Sequence, residues 1–360
     1  MKENEEERMN NQESLLTVIV PVYNVEKYIL KCLDSLRYQS YQNFKVIIVD
    51  DGSKDNGGKI AKEYAEEYPK MFTYLYQENA GQGAARNAGL KYVNTSYILF
   101  LDSDDWLMPR TIERIEKLLK FETEEPDIIF MTPKVYDMAT KKYLDWTDNE
   151  RLKHIFSQKH VTNPRETPDM YALEASLCRS VWNTNFLRKH HFSFPEGIKW
   201  EDVFPHFYLF YWARRCVFLP EAGFCYRINS GNQTTSLSSV SRKDIVPVFA
   251  ETLAYALENK WSKCEIVYII DMMMLFIRWS VFVANSGVRK ELIEKLHKLC
   301  EIIPKEYIKA YKDELKPSGD MKIYLFCLRK SIIYKLLKNA HVVECGEKMF
   351  HKLEKVRRIR

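Results

Sequence analysis

The chain has 360 residues, of which 46% are hydrophobic and 13% aromatic, and its formal net charge is +5. This length supports a full hydrophobic core and leaves room for two structural units. The eight cysteines are scattered without a CxxC pair, which argues against a zinc site and a disulfide framework and suits a reducing cytoplasm.

The first part of the chain alternates between predicted strands and helices. Residues 1–14 are charged and lack the apolar core of a signal peptide, so we expect an acidic flexible leader. Apolar runs then predict strands at Leu16–Val20, Phe44–Val49, Phe72–Tyr76, Tyr97–Leu101 and Asp127–Met131. Helical spacing of apolar residues predicts helices at Tyr28–Leu36, Gly58–Tyr68, Ala84–Leu90 and Arg110–Phe121. This alternation predicts a mostly parallel, doubly wound α/β sheet flanked by helices.

Beyond Thr132 the pattern is weaker. Further strands are predicted near Tyr143–Trp146 and at Cys216–Leu219 and Phe224–Ile228, and helices at Tyr171–His190 and from Trp200. After about Ser241 nearly every segment has a helical pattern. We therefore predict an α/β domain over residues 15–240 and a helical region over 241–360.

The apolar run Tyr97–Leu101 ends in an acidic sequence, Asp102–Trp106 (DSDDW). Residues two apart on a strand share a face, so Asp102 and Asp104 are expected to point the same way. Two such carboxylates repel each other unless a cation lies between them, which predicts a divalent-metal site with positions left for substrate phosphates. The alternative is a group of helix-capping aspartates, because Asp is favoured at helix N-termini.

Polar clusters follow three of the predicted strands. They are Pro21–Asn24, Asp50–Ser53 and Asp102–Asp105, after the first, second and fourth strands. Right-handed crossovers place the carboxyl ends of these strands along one edge of the sheet, where ligands of open α/β sheets bind. The sequence therefore predicts a nucleotide site at this edge.

These motifs resemble those of the inverting glycosyltransferases of family 2, which have the GT-A fold. The matching segments are Val20–Asn24 (VPVYN), Val49–Ser53 (VDDGS), Ala85–Leu90 (ARNAGL), Leu101–Trp106 (LDSDDW) and Trp200–Val203 (WEDV). The resemblance covers about residues 16–236. It implies an enzyme that moves a sugar from a nucleotide diphosphate, expected to be UDP, to a hydroxyl of a surface glycan or lipid-linked oligosaccharide.

The resemblance also implies a donor-binding site. Its residues would be Pro21, Tyr23, Asp51, Arg86, Asp102, Ser103, Asp104 and Arg227. Asp51 would accept a hydrogen bond from the base, and Arg227 would be a second cation near the donor phosphates. The alternatives are an ordinary surface arginine for Arg86 and a salt bridge for Arg227. Asp50 and Ser53 are either turn residues or donor contacts.

By the same resemblance, Asp102 and Asp104 would hold Mn²⁺ or Mg²⁺ and Asp202 would be the general base. The metal would neutralise the charge of the leaving diphosphate, and the base would take the proton of the acceptor hydroxyl. Adjacent residues on a helix point about 100° apart, so only one of Glu201 and Asp202 enters the site. A helix-start role for both acids is the alternative, and His206 is expected to be a core histidine.

Two other classes of protein fit parts of this pattern. A nucleotidyltransferase needs a glycine-rich phosphate loop with a basic residue after the first strand, and Pro21–Asn24 offers neither. A non-catalytic glycan- or membrane-binding protein on a GT-A fold would not need its acids together, which are Asp51, Asp102, Asp104 and Asp202. The sequence leaves open the sugar, the acceptor, the linkage and the oligomeric state.

The C-terminal segment indicates where the protein acts. Residues 320–360 hold eleven Lys or Arg against four Asp or Glu, interleaved with apolar residues, a pattern typical of contact with an anionic surface, either lipid or nucleic acid, or of a solvated helical face. Because lipid-linked acceptors reside at the membrane, we expect the membrane surface and no nucleic acid partner. Ile266–Ala284 is nearly long enough to span a bilayer. Because Asp271 and Arg278 lie inside it, we predict a buried helix instead. We expect a cytoplasmic protein, peripheral on the inner face of the cell membrane.

Overall fold

The computed structural model of the chain describes residues 14–146, 148–229, 240–315 and 317. The chain divides into two compact units, residues 1–230 and 231–360. The predicted leader lies outside the described residues up to residue 13, and the predicted basic end, 320–360, lies outside them entirely.

A nine-stranded sheet forms the centre of the first unit. Its strands are β1 (Leu16–Val22), β2 (Lys45–Asp50), β3 (Phe72–Tyr76), β4 (Tyr97–Phe100), β5 (Trp106–Leu107), β6 (Ile128–Asp137), β7 (Lys142–Asp145), β8 (Ser180–Asn183) and β9 (Cys216–Ile228). Their order is β3-β2-β1-β4-β8-β6-β9-β5, with β7 paired to β6. β3, β2, β1 and β4 are parallel neighbours, and β6 is parallel to β9. The predicted mostly parallel α/β architecture is confirmed.

Helices connect these strands and cover the sheet. They are α1 (Ile29–Arg37), α2 (Gly57–Glu67), α3 (Gln82–Leu90), α4 (Thr111–Phe121), α5 (Asn149–Ser157), α6 (Thr184–Lys189) and α7 (Val203–Trp212). α1 shows why they form, because its buried residues Ile29, Cys32, Leu33 and Leu36 recur at helical spacing on one face. β1 is buried along its whole length, as expected for a parallel strand covered on both faces.

The region predicted to be mainly helical, Tyr171–His190, contains a strand. β8 pairs antiparallel with β4 on one side and β6 on the other, and two short 3₁₀ turns, Pro168–Ala172 and Leu177–Arg179, precede it. The prediction was wrong because four residues are too few to show a period. Burial of β8 between its two neighbours, rather than local propensity, decides its conformation.

The two strands predicted at Cys216–Leu219 and Phe224–Ile228 are one strand, β9. Its register against β6 shifts at Met131–Pro133, which marks a β-bulge. Pro220 and Gly223 resemble turn residues in the sequence, but they lie at this irregularity. A Cβ on Gly223 would stand 2.5 Å from the sulfur of Met131, so the close approach of the two strands requires glycine.

The second unit is helical in its described residues. It contains α8 (Ile245–Glu258), α9 (Lys263–Val283), α10 (Ser286–Ile302) and α11 (Lys305–Glu314). α9 includes most of the segment weighed above as a membrane span, and its Ile266, Ile269 and Ile270 are buried. In the part of the chain that the structure describes, no helix combines the length and apolar character needed to cross a membrane.

Candidate active site

The polar clusters predicted from the sequence lie side by side at one edge of the sheet. β1 is hydrogen-bonded in register with β2 as far as Val22 and Asp50, and the amide of Leu101, just after β4, donates to the carbonyl of Ile19. Parallel strands in register carry their carboxyl ends to the same edge. The loops after β1, β2 and β4 therefore meet there, as the sequence predicts.

Arg86 lies at the centre of this edge and contacts three carboxylates. Its side chain is 1% exposed, and its guanidinium is 2.8 Å from Asp102 Oδ1, 3.1 Å from Glu201 Oε1 and 2.7 Å from Asp202 Oδ1. Coulombic attraction to these acids outweighs burial and raises the pKa of Arg86 well above its usual value. A buried guanidinium is tolerated where charged partners surround it, so Arg86 joins the predicted metal-binding loop to the predicted base.

A close backbone approach brings Arg86 to its partners. A Cβ on Gly83, in the first turn of α3, would stand 2.2 Å from the carbonyl oxygen of Pro195, so only glycine fits there. Asn87, one turn later, donates to the carbonyl of Phe194 and accepts from its amide. These contacts fix α3 against the segment that leads to Glu201 and Asp202. A surface position for Arg86, the alternative raised above, is wrong.

Asp102 and Asp104 occupy the predicted metal-binding loop. Oδ1 of Asp102 accepts hydrogen bonds from Arg86 at 2.8 Å and from Gln82 at 2.6 Å, and 28% of the Asp102 side chain is exposed. Burial and the charge of Asp102 raise the pKa of Asp104 to about 6. Sequence reasoning missed Gln82, because its contact depends on how closely the first turn of α3 approaches the loop after β4.

The carboxylate of Asp105 is buried and binds the protein backbone. It is 1% exposed, and its Oδ1 accepts a hydrogen bond from the backbone amide of Arg227 at 2.7 Å. Arg227 Nε in turn donates to the carbonyl of Asp104 at 2.6 Å. Burial is the main cause that raises the pKa of Asp105 well above its usual value. These two hydrogen bonds therefore connect the loop after β4 to β9 and place Arg227 beside the predicted metal site.

Glu201 and Asp202 lie just before α7 rather than in its first turn, which begins at Val203. The Asp202 side chain is 22% exposed, whereas that of Glu201 is 9% exposed. Burial raises the pKa of both acids, and that of Glu201 reaches about 7. The positive charge of Arg86 opposes this shift in both. The second oxygen of Asp202 has only a 3.4 Å contact with the amide of Leu177. Of the two acids, Asp202 is the more accessible to a substrate.

Asp51 is buried, and its carboxylate holds the segment 77–81. Oδ1 accepts from the Gln77 side chain at 2.7 Å and the Ala80 amide at 2.8 Å, and Oδ2 accepts from the Asn79 side chain at 3.0 Å and the Gly81 amide at 2.9 Å. Each oxygen thus already has two donors. The hydrogen bond from Asp51 to a nucleobase stays a prediction. No pattern in the sequence predicts the contact of Asp51 with residues 77–81.

The remaining predicted donor residues lie in β1 and in the loops after β1 and β4. Pro21 is buried at the end of β1, Tyr23 is 41% exposed, and Ser103 is 6% exposed. Their donor contacts stay predictions. Asp50 accepts from the amide of Ser53 and from the hydroxyl of Tyr74, which is the turn role considered above.

His206 has the environment of a core residue. It is 3% exposed, its Nε2 is 3.2 Å from the carbonyl of Tyr171, and burial lowers its pKa to about 4. Within residues 14–146, 148–229, 240–315 and 317, no three or more His, Cys, Asp or Glu side chains form a metal-binding group. Asp102 and Asp104 are two carboxylates, a number that suits a metal completed by water and substrate phosphates.

Known proteins resemble this chain in sequence and fold. The family model described as Glycosyl transferase family 2 matches residues 17–183. The chain is 30% identical over 229 residues to glycosyltransferase GlyA of Streptococcus pneumoniae, covering 60% of this chain and 31% of GlyA. It is 32% identical over 186 residues to the teichoic acid poly(glycerol phosphate) polymerase of Staphylococcus epidermidis, covering 51% of this chain and 24% of that protein. The chain thus spans less than a third of the length of either relative.

A solved structure extends the likeness to the fold. The crystal structure of S. aureus TarS 1-349 in complex with UDP-GlcNAc superposes with a TM-score of 0.68 at 20% identity and covers 91% of each chain. The fold predicted from the motifs is therefore the observed one. The family match shows that residues 17–183 belong to glycosyl transferase family 2, and the architecture shows that the chain has the GT-A fold.

Proposed function

We propose that the chain is an inverting glycosyltransferase that moves a sugar from a UDP-sugar to a hydroxyl of a cell-envelope glycan or lipid-linked oligosaccharide. The observation that carries the proposal is the convergence of Asp102, Glu201 and Asp202 on the buried Arg86. This arrangement puts a donor-side carboxylate and a carboxylate able to accept a proton in one site.

The reaction is a single displacement. The acceptor oxygen bonds to the anomeric carbon of the sugar while the bond from that carbon to the diphosphate breaks on the opposite face, which inverts the configuration. The acceptor hydroxyl loses its proton to Asp202. Asp202 suits this role better than Glu201 because more of its side chain is exposed and one of its oxygens has only a long contact.

Arg86 keeps the base in the required form. A general base must be ionised, and burial works against ionisation by raising the pKa of Asp202. The guanidinium of Arg86, 2.7 Å from Asp202 Oδ1, opposes that shift and fixes the orientation of the carboxylate. Oδ2 is then left for the acceptor.

Asp102 and Asp104 would hold the divalent metal, Mn²⁺ or Mg²⁺. Arg86 and Gln82 occupy only Oδ1 of Asp102, and the high pKa of Asp104 reflects burial and repulsion between the two carboxylates, which a cation would relieve. When bound, the metal would act as a Lewis acid that neutralises charge on the leaving diphosphate. Arg227, held at the carbonyl of Asp104, would add a second positive charge there.

The comparisons support the donor and the acceptor class. The structure of TarS contains UDP-GlcNAc, and the polymerase of S. epidermidis is named for teichoic acid. We therefore infer a UDP-sugar donor and an acceptor of the cell envelope. We also infer that the reaction takes place on the inner face of the cell membrane, where lipid-linked acceptors reside, with residues 320–360 as the membrane contact.

Calorimetric titration with UDP tests the donor site. We expect wild-type protein to bind UDP more tightly with Mn²⁺ than with EDTA, and Asp104→Ala to lose this difference because one of two ligand carboxylates is gone. Asp313→Ala, which removes an exposed acid from α11, is the control and should bind as the wild type does. Metal-dependent UDP binding by Asp104→Ala would contradict the assignment.

A further inference from the structure

A group of cations and aromatic rings lies on one face of the sheet beside the candidate active site. Register pairs Tyr136 with both Tyr143 and Arg227, and cross-strand partners project from the same face of a sheet. Lys134 is two residues before Tyr136 and shares this face, whereas Val135 between them is buried. The residues Lys31, Trp106, Lys134, Tyr136, Tyr143 and Arg227 form what we name the cation–aromatic surface.

The rings of this surface touch one another. The centroids of Trp106 and Tyr136 are 5.7 Å apart and those of Tyr136 and Tyr143 are 5.1 Å apart, and 56% of Tyr143 is exposed. The ammonium of Lys31 stands 3.5 Å from the centroid of the Trp106 ring and 5.6 Å from that of Tyr136. Lys31 is an exposed lysine whose position a cation–π contact fixes.

The charges of this surface are mainly positive. Within the described parts of the chain, neither Lys31 nor Lys134 has a carboxylate within ion-pair distance, although Asp145 stands opposite Lys134 in the strand register. The guanidinium of Arg227 lies 4.8 Å from the Trp106 ring. Partial burial and the charge of Arg227 lower the pKa of Lys31. An anion would relieve this repulsion among fixed cations.

The surface adjoins the predicted site of sugar transfer. Trp106 follows Asp105 directly, and Arg227 connects the two regions because its Nε donates to the carbonyl of Asp104 while its guanidinium lies over Trp106. The cation–aromatic surface therefore lies next to the acidic loop after β4.

We propose that the cation–aromatic surface binds the acceptor glycan and selects one that carries phosphate groups. The inference deepens the proposed function and rests on it. Trp106 and Arg227 are 7% and 5% exposed, so it is the exposed ring of Tyr143 that packs against the apolar face of a sugar. The ammonium groups of Lys31 and Lys134 pair with phosphate oxygens. Charge complementarity distinguishes this occupant from a neutral glycan, which would gain nothing from two unpaired lysines.

Fluorescence anisotropy with two labelled probes tests the proposal. One probe is a glycerol phosphate oligomer of defined length, and the other is the uncharged maltoheptaose. We expect the wild type to prefer the phosphate oligomer and to bind it more weakly as salt rises. The double variant Lys31→Gln/Lys134→Gln should lose about tenfold in affinity for it, since each exposed charge pair contributes modestly.

Two controls make the result specific. Lys91→Gln removes an exposed lysine outside the surface and should bind the oligomer as the wild type does. UDP affinity with Mn²⁺ should be unchanged in the double variant, and the unfolding temperature should fall only slightly, because both lysines are exposed and one cation–π contact is lost.

Several outcomes would overturn the proposal. The wild type could bind both probes with equal affinity, the double variant could lose no affinity for the phosphate oligomer, or Lys91→Gln could lose as much affinity as the double variant. The double variant could also lose UDP affinity in parallel, which would assign the lysines to the donor phosphates. Failure of the wild type to bind UDP would contradict the proposed function instead, and oligomer binding would still be measured independently.

Discussion

Arg86 determines the electrostatic balance of the candidate active site. One guanidinium contacts three carboxylates, so this cluster is net negative when Asp102, Glu201 and Asp202 are all ionised. That excess suits a centre that attracts a divalent cation. Because Arg86 contacts all three acids, the site depends on Arg86 more than on any exposed ion pair.

Replacing Arg86 should therefore destabilise the fold. We expect Arg86→Gln to lower the free energy of unfolding by about 3–5 kcal/mol at pH 8, because it leaves buried carboxylates without their cation. Arg86 lowers the pKa values of Glu201 and Asp202, so its contribution is present when they are ionised and is lost as the pH falls. The difference from the wild type should shrink at pH 5.

Urea unfolding at pH 8 and pH 5 measures this effect. Arg110→Gln is the matched control, because it removes an exposed arginine paired with Glu113 and should stay close to the wild type at both pH values. A loss in Arg86→Gln no larger than that in the control would show that the buried cluster does not depend on its guanidinium.

Sequence reasoning identified Arg86, Asp102 and Asp202 but not their contacts with one another. The motifs containing them are separated by up to 116 residues. Motif spacing along the chain carries no information on which side chains meet. Asp51 shows the same limit, because its four hydrogen bonds to 77–81 depend on the conformation of a loop without a regular pattern.

At the scale of elements, the position of α3 decides whether the site forms. Gly83→Ala should disrupt it, because the added Cβ meets the carbonyl oxygen of Pro195 at 2.2 Å and backbone cannot easily move away. We expect a loss of at least about 2 kcal/mol in unfolding free energy, together with weaker sugar transfer, as α3 moves Arg86 from Glu201 and Asp202.

Gly287→Ala is the contrasting variant. Its Cβ would meet only Asn285 Oδ1 at 3.8 Å, so alanine should stabilise α10 by up to about 1 kcal/mol. Thermal and urea unfolding of both variants compare the two sites. A neutral Gly83→Ala would mean that α3 does not need its close approach to Pro195.

The elements themselves were predictable where their pattern was long. β1 to β4 and α1 to α4 have apolar runs or stripes that fix their type, and the observed bounds differ from the predicted ones by a few residues at most. β8 and the bulged β9 were not predictable, because pairing between distant segments determines their conformation. The local sequence does not show which segments will pair.

For the whole molecule, the membrane assignment rests on the sequence of residues 320–360 alone. We expect deletion of this segment to reduce partitioning of the protein onto vesicles that contain anionic lipid, because lysine and arginine side chains gain from a negative surface. Sedimentation with anionic and with neutral vesicles measures the effect. Unchanged partitioning of the shortened protein would contradict a membrane role for this end.

The proposed function depends on Asp202 as the general base of an inverting transfer. To test this role, we compare Asp202→Asn with the wild type for Mn²⁺-dependent UDP affinity and for incorporation of radiolabelled sugar into cell-envelope glycan. We predict UDP affinity within about twofold and transfer reduced by about 10²–10⁴-fold, the usual contribution of a positioned base. Asp313→Asn should match the wild type in both. Wild-type transfer by Asp202→Asn would show that Asp202 is not the general base.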